Sequence, residues 1–191
     1  ELEVVLAGED TSGPFERFRF GISQQRRLKD FRLSVAQEQL LSAMSVDGHG
    51  AWSRLYSRLT GGLDVELTLP DGVIERVGIS QAASILYGGD QQRREPAWRG
   101  IRVQMETHAE SIAAILNALS GWRLNEYNKR SHTSTLHFLD PSLHDSRIER
   151  ATLDCLIKVA WDNVELGRKA AKLMAELYQT ERLEPWDQFA A

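Results

Sequence analysis

Five histidines and one cysteine are the residues of this chain whose types suit metal binding or nucleophilic attack. A zinc hydrolase of the H-E-x-x-H kind needs two histidines one helical turn apart, with a glutamate between them to activate water. His108 is followed by Ala109 and Glu110, but Ile112 stands where the second histidine would be. His108 also shares a helical line with apolar neighbours, so the expectation is a hydrogen-bonded core histidine rather than a ligand. His132, His137 and His144 fall in one polar stretch with Asp140 and Asp145, at spacings that repeat no ligand pattern. They read as surface groups. Cys155 has no histidine near it in sequence to lower its pKa, and it reads as a buried, inert thiol. Gly61-Gly62 and Gly88-Gly89 lack the spacing of phosphate loops and read as helix stops. No catalytic, cofactor-binding or metal-binding residue is assigned.

The elements that would carry these groups are mostly helical. Ile101, Met105, Ile112, Ile115, Leu116 and Leu119 repeat at three and four, which predicts one helix to Gly121, capped by Asp90 and passing Pro96 near its start. Upstream, Pro14 opens a helix to about Leu28, and Ser34 with Gln37 forms a capping box for a second. Asp47-Gly48-His49-Gly50 breaks that helix, and Trp52, Leu55, Tyr56 and Leu59 form a third. Residues 63–69 then switch to a period of two, Pro70-Asp71-Gly72 supplies a turn, and VIERVGI returns. This predicts one β-hairpin at about 63–79, which must lie against helices to be stable. Ser80 caps a short helix through Tyr87. Residues 122–145 read as a connection with a short strand at Thr135–Leu139. A last helix, about Ser146 to Tyr178, has Leu153, Leu156, Ile157, Ala160, Val164, Ala171, Met174 and Tyr178 on its inner face. Glu165/Lys169 and Lys172/Glu176 are charge pairs on its outer side, and the 97–121 helix is its expected antiparallel partner. The fold class is mainly α, antiparallel helices with one β-hairpin, in a single helical domain over 1–191.

The 191 residues carry 23 basic and 27 acidic groups, a net charge of −4, with no basic run. Clustered Lys or Arg is what phosphate contacts require, so nucleic acid is not an expected partner. A lone cysteine excludes an internal disulfide. There is no apolar run of about eighteen residues, so no membrane partner is expected.

Several segments, taken in order, resemble the N-terminal, non-catalytic region of the oligoendopeptidase F family, zinc metallopeptidases related to thimet oligopeptidase. Leu33-Ser34, Glu38 and Leu40-Leu41 are similar to an L-S-x-x-x-E-x-L-L element, and Ala51-Trp52 with Leu55 to a W-x-x-L helix. The hairpin LDVELTLPDGVIERVGI and the run from Asp90 to Arg94 follow in the family's order. His108 through Ala113, then Ile115, Leu116-Asn117, Leu119 and Gly121, resemble A-x-I-L-N-x-L-x-G. Leu183, Trp186-Asp187 and Ala190 are similar to the L-x-x-W/Y-D-x-x-A-P junction that precedes the catalytic domain.

The resemblance implies the N-terminal helical part of a thimet/neurolysin-like peptidase fold. It further implies a cytoplasmic zinc endopeptidase that cleaves oligopeptides in a narrow channel, with this chain as one wall. The zinc and its ligands would lie after residue 191, so the fragment alone would be inactive. Its expected partners are its own catalytic domain and, through exposed helix faces, further copies of itself. The alternative from another class is a helical protein–protein interaction module with no catalytic role.

Overall fold

The computed structural model describes residues 16–190. The predicted apolar segment at 1–7 and the Pro14 helix start lie outside them. Two compact units emerge. The first takes in the described residues up to Val46 together with Ser120–Leu156, and the second takes in Asp47–Leu119 with residues 157–190.

In the first unit, a 3-10 turn at Glu16–Phe18 leads into α1 (Arg19–Arg26), and a second turn at Lys29–Phe31 leads to α2 (Val35–Asp47). The Ser34 capping box forms as its spacing predicts. The Ser34 amide donates to Gln37 Oε1 at 3.1 Å, and the Gln37 amide donates back to Ser34 Oγ at 3.4 Å. The break before α3 (His49–Gly61) is Gly48 alone, since His49 and Gly50 are helical.

The second unit is built on the hairpin. Strands β1 (Asp64–Thr68) and β2 (Ile74–Gly78) pair antiparallel, with Val65 opposite Val77 and Leu67 opposite Glu75. Gly72 takes a φ of 85°, the left-handed conformation that its turn position requires. β1 alternates strictly, so Val65 and Leu67 are fully buried while Asp64, Glu66 and Thr68 are exposed. Ala82 of α4 (Ile79–Ile85) and Ala97 of α5 (Gln91–Thr107) complete the core, flanked by Leu69, Val77, Ile79 and Ile101. The helices cover the hairpin, as an isolated two-stranded sheet requires. A Cβ placed on Gly100 would lie 2.5 Å from the Glu66 carbonyl oxygen and 2.6 Å from Val65 Cγ1. Only glycine lets α5 come this close to β1.

Several sequence expectations are corrected. The long helix is split: α5 ends at Thr107, His108 caps it, and α6 (Ala109–Arg130) continues straight through Gly121. The His108 amide bonds back to Gln104 while its carbonyl accepts from Ile112 (2.9 Å), so His108 is a helix junction, half-buried, rather than a core residue. Ser80 lies inside α4, whose cap position is Gly78 with no side-chain bond. No strand forms at 135–139 among the described residues. There the His137 amide donates to Asp140 Oδ2 at 2.8 Å and the Leu139 amide donates to His137 Nδ1 at 3.2 Å. Side chains satisfy that backbone locally, and a turn results, followed by α7 (Asp140–Ser146). The last helix is also two, α8 (Arg150–Asp162) and α9 (Val164–Leu177). Asn163 sits between them, its side-chain amide donating to the Val159 carbonyl at 2.8 Å.

The inner face of α9 includes the expected Ala171, Met174 and Tyr178, with Ala175 buried, but Leu156 and Ile157 of α8 are exposed. Cys155 is exposed as well, against expectation. On the outer side Glu165 pairs with Arg168, three residues on. No helix of the described residues is long and apolar enough to cross a membrane.

Candidate functional site

The histidines do not converge. His132 Nε2 lies 3.0 Å from the Arg32 carbonyl, His137 packs on the Phe138 ring at 4.4 Å, and His144 lines a small polar recess with Phe20, Gln24 and Arg147. Among the described residues, no group of three His, Cys, Asp or Glu side chains is placed to hold a metal ion.

What the structure does bring together are the charged residues of the motifs. In the first unit, Glu38 stands one turn into α2. Its Oε1 accepts from the Leu33 amide at 3.0 Å, and both its oxygens take the Arg130 guanidinium, at 2.7 and 3.0 Å. Such two-point pairing fixes direction as well as distance. Arg130 closes the C-terminal end of α6, where a cation suits the helix dipole. It also donates to Glu126 one turn back, and to the Phe31 carbonyl at 3.4 Å. The Arg130 hydrogen bonds hold the Glu38 carboxyl below its usual range, against the opposing effect of burial. Arg130 is raised in turn, chiefly by Glu38. With His132 on Arg32, side chains from 126–132 tie down the entry to α2.

In the second unit, Gln179 turns the chain out of α9 with a φ of 57°, and the Thr180 amide bonds back to the Ala175 carbonyl. The following segment reaches a 3-10 turn, Pro185–Asp187, which brings Asp187 to Arg94. Both side chains are only 1% exposed. Arg94 Nε donates to Asp187 Oδ1 at 2.9 Å and Nη1 to the Gly88 carbonyl at 3.0 Å. Nη2 lies 2.8 Å from the same Asp187 oxygen yet off the line of a hydrogen bond, so its contribution is electrostatic. The guanidinium also lies over the Tyr178 ring at 5.0 Å, and Trp186 meets Trp98 edge-on at 5.4 Å.

Two concavities flank these clamps, one in each unit. Leu33, Leu40, Leu41, Met44 and Trp122 make an apolar groove of about 430 Å³ between α2 and α6. A more polar cleft of about 500 Å³ lies beside Arg99, Glu95, Glu184 and Trp186. Chemically, these groups fix helix ends and seat a C-terminal segment. The roles of Arg94 and Arg130 escaped the sequence reading. Arg130 left one trace, the four-residue step from Glu126, whereas nothing local joined either arginine to its distant carboxylate.

Residues 10–64 match the family model described as Oligopeptidase F. No curated protein matches the chain. The fold matches a crystal structure from Chlamydophila abortus assigned as a peptidase, with a TM-score of 0.76 at 16% identity over 100% of this chain. It also matches oligoendopeptidase-F from Enterococcus faecium, with a TM-score of 0.74 at 21% identity over 93%. The chain spans about a third of each, 31% and 34% of their lengths. At these identities the two structures establish the fold, mainly helical with one hairpin. Together with the matched segment at 10–64, they show that the chain resembles the N-terminal region of oligopeptidase F.

Proposed function

We propose that this chain is the N-terminal part of a cytoplasmic zinc metalloendopeptidase that hydrolyses short oligopeptides. It forms one wall of the substrate channel and is inactive by itself. The match of residues 10–64 to oligopeptidase F carries this reading. The fold shared with about a third of an oligoendopeptidase-F supports it. In this reading the zinc donor set would belong to the remainder of such a protein, since residues 1–191 contain no H-E-x-x-H. No catalytic step is assigned to a residue of this chain. The Glu38–Arg130 clamp holds helix ends within the first unit and the Arg94–Asp187 clamp seats the C-terminal turn within the second.

The test compares the 191-residue chain with a polypeptide extended to the full coding sequence, each given a quenched fluorescent peptide and zinc. The short chain is expected to be silent and the long one to turn over until a chelator is added. Zinc-dependent turnover by the short chain overturns the proposal. Absence of H-E-x-x-H from the extended sequence leaves the interaction-module reading, with the apolar groove between α2 and α6 as the partner's seat.

A further inference from the structure

Arg94 holds Asp187 unevenly. An arginine fork ordinarily takes both oxygens of a carboxylate. Here Nε at 2.9 Å and Nη2 at 2.8 Å both converge on Oδ1. Oδ2 takes no hydrogen bond among the described residues, although the side chain is only 1% exposed. Among those residues, the fully buried side-chain nitrogens and oxygens without a hydrogen bond are Arg93 Nε and Arg94 Nη2. Oδ2 is therefore open, and it opens on the cleft of about 500 Å³ that Asp187 lines and Arg94 does not. An acceptor this enclosed is costly to leave unbonded. We propose that Asp187 Oδ2 receives the primary ammonium group of a small ligand seated in this cleft.

The walls select that chemistry. Glu95 and Glu184 also line the cleft, against one cation, Arg99. Arg99 holds Oε1 of Glu95 at 2.7 Å, and Arg182 holds Oε1 of Glu184 at 2.9 Å. Each of the three carboxylates thus has one oxygen tied and the other without a hydrogen bond among the described residues. A guanidinium fork needs both oxygens of one carboxylate, and only one is spare. An ammonium is a compact charge with three donors and no acceptor. Oδ2 alone can take it, while Glu95 and Glu184 add favourable field and water-bridged bonds. Pro70 and Trp186 give the cleft an apolar wall for a short carbon stem, and its volume suits a small molecule. Lysine side chains and peptide amino termini both carry such a group. Arg94 is a positioning residue, since by fixing Oδ1 it aims Oδ2. The inference does not rest on the peptidase reading.

Nuclear magnetic resonance titration of the full 191-residue chain, followed at the Trp186 indole N–H, tests this. The probes are Nα-acetyl-lysine methylamide for the side-chain source and alanyl-alanine amide for the amino-terminal one. The neutral counterpart is the same lysine probe acetylated at Nε. At least one ammonium probe is expected to bind with a Kd of about 1 mM, and whichever binds more tightly identifies the source. The neutral probe should leave the indole signal unmoved. Asp187→Asn keeps an acceptor for Arg94 Nε but turns an amide toward the cleft, and should weaken binding by about tenfold or more. Glu184→Gln, at a partly exposed residue, should weaken it about two- to threefold and serves where Asp187→Asn does not fold. Silence of both ammonium probes up to about 50 mM overturns the proposal. So does equal binding of the neutral probe, or binding indifferent to these substitutions.

Discussion

Arg94 and Asp187 stand 93 residues apart in sequence, yet one oxygen of the carboxylate receives both Nε and the charge of Nη2, at 2.9 and 2.8 Å. Each side chain is closed to solvent. An ion pair of this kind contributes little net stability over a well-packed apolar pair, but removing one partner strands a buried charge. Asp187→Ala is therefore expected to cost about 3–5 kcal/mol in urea unfolding. Asp187→Asn, which keeps an acceptor for Nε, should cost visibly less. Equal losses for the two variants would show that the charge of Asp187 matters more than its hydrogen bond.

Glu38 makes stability depend on pH. Arg130 lowers the carboxyl's folded-state pKa below its ordinary 4.5. The unfolded chain therefore binds the proton more readily than the folded one. The stabilisation is complete above the unfolded value and is lost as pH falls through the lowered folded value. Because 37% of the Glu38 side chain is exposed, solvent screening limits the effect to about 1 kcal/mol. Unfolding midpoints measured from about pH 6 to pH 3 should fall more steeply in the parent chain than in Glu38→Gln. Parallel curves would argue that the pair is inert.

Two glycines should respond in opposite directions to alanine. At Gly100 a methyl would meet the Glu66 carbonyl at 2.5 Å, a backbone atom with no freedom to swing aside. Gly100→Ala should destabilise by about 1–3 kcal/mol despite alanine's helix preference. At Gly121 the helix runs on and nothing lies within 4 Å of the added carbon. Gly121→Ala should therefore stabilise by up to about 1 kcal/mol. Thermal melts of both variants decide the matter.

Local chemistry was readable and distant pairing was not. The Ser34–Gln37 box, the Asp90 cap, the two-residue alternation of β1 and the Gly72 turn depend on neighbours within a few positions, and each stands as its spacing predicts. The joins at His108 and Asn163 were missed because an apolar repeat continues across a one-residue break without losing phase. Gly121 misled for a different reason: glycine ends a helix only where a left-handed turn is needed, and α6 needs none there. The exposure of Cys155 was likewise hidden, since amphipathic periodicity does not tell which stripe finds a neighbour. Glu38 and Asp187 were visible as motif members. Their role as anchors became evident only with the arginines folded against them.

The seating of Asp187 has a mechanical side. A pull applied near residue 190 would meet the shear resistance of a closed ion pair before it could unravel α9. In an optical trap, the C-terminal segment should yield in one abrupt rip, and Asp187→Ala should turn that rip into gradual peeling.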